Sequence, residues 1–221
     1  MNPVRNHKKT HPVKDHSHTR VSNGMNLANQ LTISRIFLTF VFMIFLFSGG
    51  VAAKVMALFT FLLASFTDFL DGFIAKSRNM TSDFGKLMDP IADKILVLAA
   101  FLAFVEMKIV PAWMVLVIVL REVTVTGLRI AALGQRKVIA ADDGGKHKMV
   151  SQILSILAIL VFIILREAGA RGKLNFWTPG IENGYKDAIF FLMSITVLLT
   201  IISGASYLLK NREVWTNVKK D

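Results

Sequence analysis

The sequence contains no cysteine, so disulfides, thiolate metal sites and cysteine nucleophiles are excluded, and the redox compartment cannot be read from the chain. Acidic residues are scarce: 15 Asp and Glu stand against 26 Lys and Arg, a formal charge of +11. The first 24 residues have no apolar stretch of the kind a secretory signal requires, and no soluble domain interrupts the remainder. Hydrophobic residues, in contrast, make up 53% of the chain and include 17 Phe and 10 Met. That is more apolar than a water-soluble domain of this length, and lipid is the expected solvent. The basic residues flank apolar runs instead of forming one aromatic-rich soluble surface, which points to anionic lipid headgroups and away from nucleic acid.

Residues 1–24 form a polar, basic segment read as a disordered cytoplasmic tail; its four histidines, His7, His11, His16 and His18, have no regular metal-ligand spacing. Residues 25–221 form the membrane domain. About six apolar runs of spanning length recur, near 31–48, 52–74, 87–105, 110–132, 149–165 and 187–209. Gly49-Gly50 and Lys108 to Pro111 break the pattern, Pro90 reads as a helix start, and Ala168 to Tyr185 read as the one long loop. The expected fold is all-α, a polytopic bundle of about six transmembrane helices. Lys and Arg gather in both tails and in the segments holding Lys76, Arg78 and Lys86 and Arg136, Lys137, Lys146 and Lys148, which places both termini in the cytoplasm. Trp113, Trp177 and Trp215 are expected as interfacial anchors.

One constellation carries chemistry. The second run ends in Asp68-Phe-Leu-Asp71-Gly72-Phe-Ile-Ala75-Lys76, and the third opens with Gly85-Lys-Leu-Met-Asp89-Pro-Ile-Ala-Asp93. On helices, Asp68 and Asp71 (i, i+3) share a face, as do Asp89 and Asp93 (i, i+4), so a helical hairpin can aim four carboxylates at one point. Their mutual repulsion calls for cations. All-oxygen ligation without His or Cys suits a hard ion, Mg²⁺, Mn²⁺ or Ca²⁺, and not zinc. Two such ions would clamp a pyrophosphate and stabilise the entering and leaving oxygens of a displacement. Gly72, Ala75 and Gly85 keep that face open for a bulky ligand. The plainer alternative is a solvated turn whose carboxylates pair with Lys76, Arg78, Lys86 and Lys94.

The pattern from Asp68 to Asp93 resembles the CDP-alcohol phosphatidyltransferase signature, D-x2-D-G-x2-A-R-x8-G-x3-D-x3-D, at every fixed position except one, where Lys76 stands for Arg. Lysine keeps the charge and loses the planar bidentate fork. The segments Asn29-Gln-Leu-Thr32-Ile-Ser-Arg35, Lys76-Ser-Arg78-Asn79, Leu87-Met-Asp89-Pro90-Ile-Ala-Asp93-Lys94 and Arg121-Glu122 are similar to those of bacterial phosphatidylglycerophosphate synthases within that family. The resemblance implies transfer of a phosphatidyl group from CDP-diacylglycerol to glycerol 3-phosphate with release of CMP. It also implies two divalent cations, Mg²⁺ or Mn²⁺, and a homodimer in the bacterial cytoplasmic membrane with its active site facing the cytoplasm. Residue by residue, it makes Asp68, Asp71 and Asp89 metal ligands and Asp93 a ligand and the base for the acceptor hydroxyl. Asn29, Thr32, Asp68, Gly72, Ala75, Lys76 and Gly85 would bind the CDP-lipid.

A phosphate-bearing acceptor needs cations of its own. Arg121 and Arg129 interrupt the fourth run about two turns apart and are expected on one face, while Lys146 and Lys148 precede the fifth. Simpler roles exist: Arg121 can pair with Glu122, and the lysines can be membrane-surface anchors. The relatives' Gly-Lys-x-Lys-Thr is here Gly145-Lys146-His147-Lys148-Met149, without the hydroxyl. Two other readings remain open. The same hairpin would serve another acceptor, phosphatidylglycerol as in a cardiolipin synthase or inositol phosphate, and the carboxylates could line a divalent-cation transporter. Clustering of the acids at one turn argues against the transporter.

Overall fold

The computed structural model describes residues 27–75, 83–134, 144–172 and 177–211, without the side chains of 27–32, 68–75, 83–93, 131, 133, 134 and 144–147. The described residues form six α-helices and no strand: α1 Leu27–Phe47, α2 Val51–Ala75, α3 Asp83–Glu106, α4 Ala112–Gly134, α5 Gly144–Ala170 and α6 Pro179–Lys210. The basic tail, residues 1–24, lies outside them.

Two expectations about boundaries are corrected. Pro90 does not start a helix, because α3 begins at Asp83 and continues through it. A proline costs one backbone hydrogen bond and crowds the preceding turn, which a helix supported by its neighbours tolerates. The segment 168–185 is also not one long loop. Helix α5 runs to Ala170, and α6 starts at Pro179. Thr178 caps α6, its hydroxyl accepting the Ile181 N–H at 3.4 Å, while Pro179 occupies the first helical position and Glu182 lies in the first turn. Cap, proline and acid at the positive helix end form a start signal.

The turns follow the expected breaks. At Gly50 the backbone takes φ +103°, open to glycine, and its N–H donates to Glu167 Oε1 of α5 at 2.9 Å. Arg171 Nε holds the same carboxylate at 2.8 Å, so the α1–α2 turn is clasped to the end of α5. Helix α3 ends in a Schellman motif, with Lys108 N–H donating to the Val105 carbonyl and Ile109 N–H to that of Phe104, both at 2.9 Å. Lys108 occupies its left-handed position at φ +55°.

Helix α1 packs on α2 and α3, α6 on α4 and α5, and α5 reaches across to α2 and α3. Phe42, Phe61, Phe101, Phe104, Met114, Ile159 and Phe162 fill the centre, with the rings of Phe42 and Phe61 5.8 Å apart. The outside is apolar as well. Along α1 the exposed residues Ile33, Phe37, Phe40, Ile44 and Phe47 alternate by helical turns with buried Arg35, Thr39, Phe42 and Leu46. Comparable exposed apolar stripes run along α2, α4, α5 and α6, as with Leu116, Leu120 and Val123 on α4 and Leu198, Ile201 and Ile202 on α6. Such a surface suits lipid. Two described helical segments, Lys148–Ala170 and Pro179–Lys210, are long and apolar enough to cross a bilayer. Interior hydroxyls are satisfied by carbonyls one turn earlier, Thr39 on Arg35 at 2.9 Å and Thr200 on Thr196 at 2.7 Å.

Candidate functional site

The acidic motif is divided between the end of α2 and the start of α3. Asp68, Asp71, Gly72 and Ala75 lie in the last turns of α2, and Gly85, Asp89 and Asp93 in the first turns of α3. Their side chains, and those of Asn29 and Thr32 on α1, are outside the described residues, as is the whole of Lys76. Among the described residues no group of three or more His, Cys, Asp or Glu could hold a metal.

The Gly50 to Glu167 hydrogen bond fixes a common level for the antiparallel helices α2 and α5. At a rise of about 1.5 Å per residue, positions 68 and 71 lie about 27 and 32 Å along α2 from that level. By the same rise Lys148 lies about 29 Å along α5. The acidic end of α2 and Lys148 therefore share one depth.

At that depth sits a buried polar knot whose members come from α3, α4, α5 and α6. Glu122 of α4, with its side chain 7% exposed, receives Lys94 Nζ from α3 on Oε2 at 2.6 Å. Its Oε1 takes Lys148 Nζ from α5, also 7% exposed, and Arg121 NH1 at 3.4 Å. Arg121 reaches on to α6, where NH2 donates to Ser203 Oγ at 2.9 Å. Gly204 makes room for this arm, since a Cβ there would stand 2.9 Å from Arg121 Cγ. One carboxylate thus serves three cations. Any of them can turn to another anion while Glu122 keeps a partner, which is how a phosphate could enter without stranding a buried charge.

The four expected acceptor cations are not all brought together. Arg121 and Lys148 meet through Glu122, the side chain of Lys146 is outside the described residues, and Arg129 is exposed. The expectation that Arg121 and Arg129 share a face does not hold. Eight residues advance the helix by two turns plus about 80°, enough to turn Arg129 outward while Arg121 points to α6. Sequence reasoning also missed Lys94 and Glu122 as members of the cluster, treating them only as bystanders that neutralise neighbours. The signal was there: a Lys and a Glu inside apolar runs of adjacent helices need partners. Arg35 is a further buried cation, 5% exposed on α1.

The knot continues as a hydroxyl seam between α5 and α6. Ser155 and Thr196 share a hydrogen bond at 2.9 Å, and Ser151 Oγ donates to the Lys148 carbonyl at 2.8 Å. At the opposite end Trp177 is more than a surface anchor. It stacks among Phe162 and Tyr185, with ring centroids 6.3 and 5.6 Å away, and covers Gly169. Trp113 is exposed, and Trp215 is outside the described residues.

A profile described as CDP-alcohol phosphatidyltransferase matches residues 25–202. A Bacillus subtilis protein named CDP-diacylglycerol–glycerol-3-phosphate 3-phosphatidyltransferase is 36% identical over 200 residues, covering 85% of this chain and 96% of its own. A probable phosphatidylglycerophosphate synthase of Mycobacterium tuberculosis is 36% identical over 185 residues, covering 82% and 79%. A Haemophilus influenzae protein with the same name as that of Bacillus subtilis is 31% identical over 191 residues, covering 83% and 91%. The chain belongs to the CDP-alcohol phosphatidyltransferase family and is a transferase of phospholipid synthesis.

Proposed function

We propose that the chain transfers the phosphatidyl group of CDP-diacylglycerol to the primary hydroxyl of glycerol 3-phosphate, giving phosphatidylglycerophosphate and CMP. The observation that carries the choice of acceptor is the knot of Arg121, Lys148 and Lys94 around Glu122, at the depth of the acidic motif. Buried cations that can exchange onto phosphate oxygens suit an acceptor that carries a phosphate, and have no purpose for serine or choline. The names of the relatives favour the same acceptor.

Asp68, Asp71, Asp89 and Asp93 supply the all-oxygen donor set that Mg²⁺ or Mn²⁺ prefers, and two such ions when bound would neutralise the pyrophosphate and the departing CMP. Asn29, Thr32, Gly72, Ala75, Lys76 and Gly85 border the CDP-lipid. Arg121 and Lys148 hold the acceptor phosphate, joined by Lys146, while the exposed Arg129 takes no part. Asp93, one residue from Lys94 of the knot, accepts the proton of the acceptor hydroxyl as its oxygen attacks the β-phosphorus. The bond from that phosphorus to the CMP oxygen breaks, and CMP leaves. The helices cross the membrane six times, with both termini and the site at the cytoplasmic face of a bacterial membrane, and the protein works as a homodimer.

The test is CMP release from CDP-diacylglycerol by purified protein, with glycerol 3-phosphate, phosphatidylglycerol, inositol phosphate and serine supplied in turn. Turnover with glycerol 3-phosphate, abolished by EDTA and restored by Mg²⁺ or Mn²⁺, is expected. Turnover with serine alone would overturn the choice of acceptor, and full activity in Asp93→Asn would remove its role as base.

A further inference from the structure

Gln152 lies on α5, 5% exposed, and its Nε2 is buried with no hydrogen-bond partner among the described residues. It follows Lys148 at i+4, so the two share a side of the helix, about 40° apart and about 6 Å along the axis. Ser151 lies about 60° to the other side of Lys148, toward α6. The Thr196 hydroxyl of α6 bonds both Ser155 and the Ser151 carbonyl, so the contact between the helices is closed without Gln152. A buried amide with an unused donor is costly, and a leucine or methionine would fill the same space without that cost. Its place, one turn from the lysine that can release Glu122 to a phosphate, gives the donor a use.

We propose that Gln152 is a specificity-determining residue that donates from Nε2 to a secondary hydroxyl of a small polyol phosphate whose phosphate is held at Lys148. This rests on the proposed acceptor class and adds to it the group that distinguishes the polyol from a plain alkyl phosphate. A three-carbon acceptor has a hydroxyl next to the carbon bearing its phosphate ester. That hydroxyl takes no part in the transfer, and Gln152 reads it. The residue binds and orients the acceptor and moves no proton.

The probe is 1,3-propanediol monophosphate, which keeps the phosphate and the attacking primary hydroxyl and lacks the middle one. Full-length protein should favour glycerol 3-phosphate over it by about 10- to 100-fold in kcat/KM, the worth of one hydrogen bond to a buried donor. In Gln152→Leu and the near-isosteric Gln152→Met this preference should collapse toward unity, with the KM for CDP-diacylglycerol unchanged. A preference retained in the variant that keeps the wild-type KM for CDP-diacylglycerol would overturn the assignment. If the unaltered protein releases no CMP with glycerol 3-phosphate, the acceptor reading itself fails and Gln152's role falls with it. If it turns over both acceptors equally, only the role of Gln152 fails.

Discussion

Replacing Glu122 with glutamine tests whether the knot is a shared counter-ion or a set of incidental contacts. Glutamine keeps the shape and one acceptor oxygen, but it turns an amide NH₂ toward cations that a carboxylate oxygen had received. Lys148 and Glu122 are each 7% exposed, Arg121 13% and Lys94 28%. Breaking a buried ion pair by removing one partner costs about 3–5 kcal/mol. Lys94 retains access to water and the amide oxygen still accepts one donor, so the lower end, about 3 kcal/mol, is expected. For a chain of this size that is a fall in Tm of roughly 6–12 °C. The double variant Glu122→Gln/Lys148→Met removes the stranded ammonium together with its counter-ion, and should regain about 2 kcal/mol, roughly 4–8 °C, over the single variant. Thermal unfolding in detergent, followed by tryptophan fluorescence, measures both. A Glu122→Gln protein with unchanged Tm, or a double variant whose loss is the sum of the two single losses, would refute the shared counter-ion. Catalysis should be lost in both variants, so stability and activity separate in the double.

Three other substitutions test particular contacts. Gly204→Ala places a methyl 2.9 Å from Arg121 Cγ and should push the guanidinium off Ser203, raising the KM for glycerol 3-phosphate by roughly 3- to 10-fold while leaving that for CDP-diacylglycerol unchanged, as initial rates will show. Lys108→Gly relieves a left-handed residue at the end of α3 and should raise stability by about 1 kcal/mol, seen as a higher Tm. Gly169→Ala would set a Cβ 2.4 Å from the Trp177 ring and should cost about 2 kcal/mol, with a changed tryptophan emission as the ring moves off Phe162 and Tyr185.

What the sequence makes legible follows from what lipid does to the usual signals. Helix number and rough position could be read because each apolar run has a length set by the bilayer and breaks at Gly49-Gly50 or Lys108 to Pro111. Which face of each helix packs inward could not. On α1 the exposed Phe37 and Phe40 are as apolar as the buried Phe42 and Leu46, so no polar stripe marks the outside. The fourth helix shows the consequence. Arg121 and Arg129 stand two turns plus about 80° apart, and packing against α6 decides which of the two is the buried arm.

The candidate site was legible to the extent that its chemistry is local. The aspartate spacing is a property of two short segments and could be read directly, whereas the knot joins residues 28 apart in Lys94 and Glu122 and 82 apart in Arg121 and Ser203. No periodicity connects such distant positions. What does connect them is the cost of charge in an apolar interior, because every Lys, Arg, Glu or Gln inside an otherwise hydrophobic run must find a partner or have a ligand waiting. By that rule Lys94, Glu122 and Lys148 select one another, and Gln152, whose Nε2 has found no partner among the described residues, is left to a substrate.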